Sequence, residues 1–358
     1  MSSKKIYLLV GTRPNFIKIT RFKDLSKDAE ISIIHTGQHF DDNMANVFFD
    51  QFNLRPDYFL EVGGLSPTSQ IGQIILKLEE LFIKIGKPDY LIVPGDVNST
   101  LAGAIVANKM GIKLVHLESG LRSRDQLMPE EHNRILTDYM SDICFVTEQS
   151  GLDNLKVENN LAQVHFVGNT MIDTLVHFEP EIEKSNILDE LSLDKGEYIL
   201  TTFHRPSNVD AKDSLQKMVD LLTWLSTHKK VVIPLHPRTL KMLENFELLN
   251  VLEENQSIVI TKPLGYFEFQ KLIKYSLVVI TDSGGIQEET TYRQVPCLTV
   301  RNNTERPSTI TEGTNVLVKF IKEDIEVYLK QILAGTYKKG TIPKYWDGNT
   351  TERILSIL

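Results

Sequence analysis

Short apolar runs recur along the chain, each closed by a turn and followed by a stretch with helical spacing. "KIYLLVG", "ISIIHTG", "DYLIVPGD", "IKLVHLE", "ICFVTE" and "VHFVGN" occupy the first half; "YILTTF", "KVVIPLH", "SIVITK", "LVVITDS" and "CLTVR" occupy the second. Within the runs Val, Ile and Leu stand side by side instead of alternating with polar residues. Parallel strands covered by helices on both faces read this way. Strand–helix alternation from end to end gives an α/β class. The polar stretch "EPEIEKSNILDELSLDKGE", Glu179 to Glu197, breaks the rhythm and reads as a helical connector with a loop. Two Rossmann-like, doubly wound domains are therefore expected, facing one another across a cleft, with a boundary near residue 172. Ligands in such sheets bind beyond the carboxyl ends of the strands, so chemistry is sought there.

Composition narrows the field. The 358 residues suffice for two ordinary domains, and 41% hydrophobic with 24% charged residues fits a soluble globular protein. A net charge of −8 argues against nonspecific binding of nucleic acid. Cys144 and Cys297 lie in apolar runs, "DICFV" and "VPCLTV", which suits buried thiols better than a disulfide or a metal site. The N-terminal apolar run of five residues is too short for a signal peptide, and no stretch approaches the ~20 residues that span a bilayer. No nucleic-acid or membrane partner is expected, and the expected location is the cytoplasm.

The unusual residues gather at the strand ends. After the first strand comes "GTRPNFIK": Gly11 allows a tight turn, Pro14 suits a helix start, and Arg13 and Lys18 beside that start suggest an external anion or simply a basic surface. No G-x-G-x-x-G is present, which removes the simplest argument for a nicotinamide or flavin cofactor. "TDSGGIQEET" places Ser283, Gly284 and Gly285 between a strand and a helix, where backbone N–H groups can hold a diphosphate. Glu288 and Glu289 are expected in the first turn; a carboxylate there either complements the helix dipole or meets something neutral, such as a ribose diol. Arg306 in "NTERP" offers a bidentate phosphate contact or an ion pair with Glu305 or Glu312. His204 and His236 each leave an apolar strand and suit proton transfer or charge on a diphosphate. Asp96, Glu118, Glu130 and Glu131 form an acidic set. Asp96 reads equally as a helix N-cap and Glu130 as a first-turn acid, whereas Glu118 ends a buried strand with no capping duty. Carboxylates sharing a cleft would raise one another's pKa, as acid–base work near neutrality requires. No Cys/His cluster has metal-ligand spacing, so no metal is expected.

Taken in order, "GTRPNFIK", "TGQH", "PGDVNSTLA", "HLESGLRS", "MPEEHNRILTD", "VGNTMID", "HRPSN", "TDSGGIQEE", "TERP" and "WDGNTTERI" make the chain resemble the non-hydrolysing UDP-N-acetylglucosamine 2-epimerases. The resemblance implies the two-domain GT-B-type fold, 1–172 and 173–344, with a final helix at about 345–358 packing back on the first domain. It implies reversible C2 epimerisation of a UDP-N-acetylhexosamine through loss of UDP to a 2-acetamidoglucal, with no cofactor. By motif, Asp96, Glu118, Glu130 and His204 match catalytic positions. Arg13, Lys18, His236, Ser283, Gly284, Gly285 and Arg306 match diphosphate contacts. Glu289 matches the ribose contact and Phe269 the position packed on uracil. Which carboxylate takes the proton and which returns it stays open, while Glu131, Asp125 and Arg134 read as structural. A homodimer and a role in cell-surface polysaccharide synthesis are further implications.

Departures mark the limits of the resemblance. Asn15-Phe16 replaces the common Glu-Ala, "HRPSNVD" departs from the usual pattern after the His, and the loop between Glu118 and Glu130 is short. They leave open a modified sugar, 2,3-diacetamido or 6-deoxy, in place of UDP-N-acetylglucosamine. Gln38 and His39 retain a segment where many members bind an activating second substrate, but Gln73 stands where Arg is common. A hydrolysing 2-epimerase, a GT-B glycosyltransferase and a non-catalytic sugar-nucleotide sensor are the competing readings. The last two have no use for the three acids together.

Overall fold

The computed structural model describes residues 3–38 and 42–358. Its strands are β1 (Lys4–Val10), β2 (Ala29–His35), β3 (Tyr58–Phe59), β4 (Tyr90–Pro94), β5 (Lys113–Ser119), β6 (Ile143–Val146), β7 (Gln163–Phe166), β8 (Tyr198–Thr202), β9 (Lys230–Pro234), β10 (Ile258–Thr261), β11 (Val278–Thr281), β12 (Cys297–Val300) and β13 (Asn315–Val318). They form a seven-stranded sheet, β3-β2-β1-β4-β5-β6-β7, and a six-stranded sheet, β10-β9-β8-β11-β12-β13, both parallel throughout. In each, the order reverses beside the first strand, so one switch point lies between β1 and β4 and the other between β8 and β11.

Both faces of each sheet are covered. In the second, Ile199, Val231, Ile233, Val278 and Ile280 pack on one side with Leu215, Met218 and Leu222, while Tyr198, Leu200, Val232 and Val279 pack on the other with Leu272 and Ile273. Neighbouring residues of one strand thus enter opposite cores, which is why the runs are continuously apolar. Each such side chain contributes roughly 1.5–3 kcal/mol on burial. Two strands were not expected. β3 pairs through only two residues, and β13 is a four-residue edge strand whose middle two residues are partly exposed. Neither has a run long enough to stand out.

One compact unit holds Met1–His177 together with Lys344–Leu358, and the other holds Phe178–Pro343. The C-terminal segment is fixed to the first unit by specific bonds. Buried Asp173 accepts hydrogen bonds from the N–H groups of Thr350 (3.0 Å) and Thr351 (2.6 Å) and from the Thr351 hydroxyl (2.7 Å). It thereby caps the helix Thr350–Ile357 from another part of the chain. The buried Trp346 indole donates to the Thr147 carbonyl at 2.9 Å. Among the described residues no helix is long and apolar enough to cross a membrane.

Candidate active site

In the first unit the switch point is built around Asn15. Its Oδ1 accepts from the N–H groups of Gly11 and Thr12 (both 3.2 Å) and from the Thr12 hydroxyl, while its amide donates to the Pro94 carbonyl at 3.2 Å. The exits of β1 and β4 are tied together by a residue that departs from the family pattern. Gly11 is required for space and not for a turn: a Cβ there would lie 2.1 Å from Ser99 Oγ. The helix Arg13–Ile17 is a little over one turn long, and Lys18 is its C-cap. Lys18 therefore does not sit at a helix start, as the sequence suggested. Its ammonium instead meets Glu118 in a buried ion pair, each side chain 6% exposed. Arg13 is half-buried, its guanidinium carbon 4.3 Å from the centre of the Phe48 ring.

Glu118 has a backbone φ of 71°, the left-handed region, and the β5–β6 register shifts between Leu117 and Ser119. Such a conformation costs a non-glycine residue about 1–3 kcal/mol, and the bulge re-aims its side chain. The Gly95 N–H to the Leu117 carbonyl (2.9 Å) and the Gly120 N–H to Asp138 Oδ2 (3.1 Å) hold the turn in place. Behind it, the buried His116 ring bridges Asp138 Oδ1 (2.6 Å) and the Gly95 carbonyl (2.7 Å). Burial alone would raise the Asp138 pKa, but His116 and Arg122 outweigh it and hold the carboxyl below its usual range.

Asp96 does not cap the following helix: the N-cap of Asn98–Met110 is Val97. The Asp96 carboxylate instead receives Arg134 Nη2 at 2.6 Å, and its carbonyl receives the Asn133 amide at 2.8 Å. Arg134 also pairs with buried Glu131, which accepts from the Ser123 N–H (2.8 Å), the Ser123 hydroxyl and the Arg124 N–H (both 2.9 Å). Burial pushes the Glu131 pKa up, and these bonds together with Arg134 bring it below its usual value. Asp125 accepts from the Leu127 N–H at 3.0 Å within the same loop. Glu130 is half-buried in the first turn of the helix Pro129–Met140; among the described residues its side chain makes no hydrogen bond or ion pair. Asp96 and Glu118 thus each carry a cationic partner, where the sequence suggested mutually repelling acids.

Gln38 is buried, its Oε1 accepting from the Ser99 N–H (3.0 Å) and hydroxyl (2.7 Å). His39 lies outside the described residues. Gly37, Phe59, Glu61, Gly63 and Gly64 line a cavity of about 320 Å³ near Gln38, and Gln73 is exposed on the helix Pro67–Ile85.

In the second unit, His204 leaves β8 and His236 leaves β9, with ring centres 5.7 Å apart. His236 is the N-cap of the helix Pro237–Asn245 and accepts from the Arg238 N–H at 3.2 Å. Ser283 is the N-cap of the helix Gly284–Arg293, so Gly284 and Gly285 are its first residues. Glu288 and Glu289 therefore stand in the second turn, not the first, and no acid occupies the first turn. That leaves the positive end of the helix to other anions.

Glu288 pairs with Arg306 Nε at 2.8 Å, so it does not serve merely as a partner for the dipole. Arg306 also pairs with Glu305, which in turn holds Arg301 at 2.9 Å; all four side chains are buried. The Arg306 guanidinium lies against the helix start, and a Cβ on Gly284 would be 3.0 Å from its Nη1. Glu289 is buried beside Gln270, Tyr266 and Arg293, and burial pushes its pKa up to about 7. Phe269, half-buried, precedes Gln270 on the helix Tyr266–Tyr275. Sequence reasoning passed over Arg134 as a partner of Asp96, the His116–Asp138 bridge, and Asp282 beneath His204. The last had a signal: an acid directly after an apolar strand, beside the strand that delivers His204.

Doubled Rossmann topology of this kind is GT-B-like. Residues 23–358 match the family model for UDP-N-acetylglucosamine 2-epimerase, and the chain belongs to that family. It is 39% identical to a UDP-N-acetylglucosamine 2-epimerase homolog of Methanococcus maripaludis, over 99% of both chains. It is 37% identical, again over 99% of both, to the UDP-2,3-diacetamido-2,3-dideoxy-D-glucuronate 2-epimerase of Pseudomonas aeruginosa. The crystal structure of the Methanocaldococcus jannaschii UDP-GlcNAc 2-epimerase in complex with UDP-GlcNAc and UDP superposes with a TM-score of 0.90, at 37% identity over 99% of each chain.

Proposed function

We propose that the protein is a non-hydrolysing 2-epimerase that interconverts UDP-N-acetylglucosamine and UDP-N-acetylmannosamine. The observation that carries this reading is Glu118: a carboxylate held in a costly backbone conformation at a strand end, buried against Lys18. A surface acid has no need of either. In the forward step a carboxylate takes the C2 hydrogen as a proton. The C2–H electron pair forms the C1=C2 double bond of 2-acetamidoglucal, and the C1–O pair leaves with the β-phosphate oxygen of UDP. In the return step that oxygen bonds C1 again and C2 receives a proton on its other face, so no atom is gained or lost.

No carbonyl acidifies the C2 proton, so the reaction depends on stabilising the departing diphosphate. Arg13, Lys18, His204, His236, Arg306 and the helix start at Ser283–Gly285 supply that charge. Lys18 turns from Glu118 to the diphosphate when substrate binds, which frees the carboxylate for the proton. Glu289 accepts the ribose hydroxyls, and Phe269 packs on the uracil.

Proton NMR of UDP-N-acetylglucosamine with the protein in D2O tests the reading. Deuterium at C2 and growth of UDP-N-acetylmannosamine to equilibrium are expected. Free N-acetylmannosamine with UDP would establish the hydrolysing reaction instead. A second reading, epimerisation of a diacetamido sugar nucleotide, is favoured by the likeness to the Pseudomonas aeruginosa enzyme. It predicts exchange only with that substrate.

A further inference from the structure

Asp282 is the most heavily bonded side chain at the exit of β11. Its carboxylate is fully buried and accepts from the N–H of His204 (3.0 Å), the N–H of Arg205 (2.9 Å) and the Asn208 amide (3.0 Å). Its Oδ1 lies 2.9 Å from His204 Nδ1. Register explains the meeting: Thr281 of β11 stands opposite Thr202 of β8, so Asp282 emerges beside the segment that begins with Phe203. The His204 side chain is 41% exposed against 0% for Asp282, so the ring has one anchored edge and one open edge.

We infer that Asp282 is a positioning residue for the reaction, locking His204 with its proton on Nδ1 and presenting Nε2 to the diphosphate. A carboxylate can only accept, so the nitrogen facing it must carry hydrogen. With Nδ1 so held, it is the charged ring that donates from Nε2 to the diphosphate; a neutral ring would turn a lone pair toward it. Either form is aimed by the same bond, as in other carboxylate–imidazole pairs. Burial alone would raise the Asp282 pKa, but the bond to His204 and those from Arg205 and Asn208 bring it below its usual value. His236 at the β9 exit has its ring centre 5.7 Å from that of His204, Arg205 follows His204 on the same loop, and Arg301 lies near Arg205. Arg205 and Arg301 can only donate, and the Asp282 carboxylate lies 2.9 Å from Nδ1.

The inference rests on the proposed part of His204 in the reaction, and its test keeps the two apart. In the full-length protein, ring ¹⁵N shifts of His204 should show hydrogen on Nδ1 at neutral pH; a neutral ring with hydrogen on Nε2 would overturn the inference without any substitution. Asp282→Asn preserves shape but turns an N–H toward the ring, so the neutral ring should carry its hydrogen on Nε2. The expected result is a fall in kcat of about 100-fold or more, with UDP affinity by calorimetry lowered far less than kcat. Unchanged kcat, or lost kcat with the original tautomer, would overturn it. Added to His204→Asn, Asp282→Asn should cost nothing more; a further loss as large as its own would make Asp282 merely structural. Near-normal turnover of His204→Asn alone would sink the reading of His204, while the ring shifts would still decide the pairing.

Discussion

Glu118 and Lys18 are buried together, so each sets the conditions for the other. Glu118→Gln should lower turnover by about 10²–10⁴-fold, the usual worth of a positioned acid or base, while calorimetry finds UDP bound at least as tightly. Turnover within tenfold of the unsubstituted protein would remove Glu118 from proton transfer. The same change leaves a buried ammonium without its counter-charge and should cost about 3–5 kcal/mol in urea unfolding. Glu289 gives a pH prediction of opposite character. Its pKa of about 7 in the folded protein means that folding retains a proton which the unfolded chain releases near 4.5. Stability should therefore fall as pH rises through this window. Glu289→Gln should remove that slope, so the two proteins match near pH 4 and the variant is more stable above pH 7 by up to about 3 kcal/mol. Parallel denaturation curves at pH 5 to 8 would contradict this. Single residues of this kind were legible by type and place: Glu118 stood out because it had nothing to cap. Its partner did not, because Lys18 lies 100 positions away and its pairing depends on how two strand exits meet.

At the scale of elements, the helix Pro129–Met140 leaves Glu130 half-buried and uses Glu131, Asn133 and Arg134 to grip what lies beside it. Arg134→Met should release both Asp96 and the Ser123–Arg124 loop. Turnover is expected to fall about 10–100-fold, the scale of losing one positioned partner, with amide exchange faster in residues 121–128. Normal turnover would show that Asp96 needs no holding. The C-terminal helix depends on a cap supplied by Asp173. Asp173→Ala should cost about 1–3 kcal/mol for the orphaned N–H groups and speed exchange in residues 350–357 well above the rest of the first unit. Most elements were readable, since strand runs and Pro-marked helix starts are local properties. The misplacements were local too: Val97 took the cap expected of Asp96, and the helix at Gly284 began early enough to move Glu288 and Glu289 into its second turn.

Across the whole molecule, the six-stranded sheet repeats the order of the first six strands of the seven-stranded one, and in both the candidate residues stand around the point where that order reverses. The first carries Asp96 and Glu118 at the exits of β4 and β5; the second carries His204, His236 and the helix start at Gly284 at the exits of β8, β9 and β11. Removing residues 344–358 should loosen the first unit, which loses Trp346 and the capped helix, and spare amide protection in Phe178–Pro343. Equal loss in both units would show that the segment serves the entire molecule. By itself the sequence determined the α/β class, most strands, the family and the residue types at the strand exits, because period, turn chemistry and motif are written in neighbouring positions. Only the tertiary structure decided which charges are paired: Lys18 with Glu118, Arg134 with Asp96, Arg306 with Glu288, and His204 with Asp282. Such pairs join residues from different strand exits or turns. Their energies depend on burial and distances of a few ångströms, which exist only once the sheets have assembled.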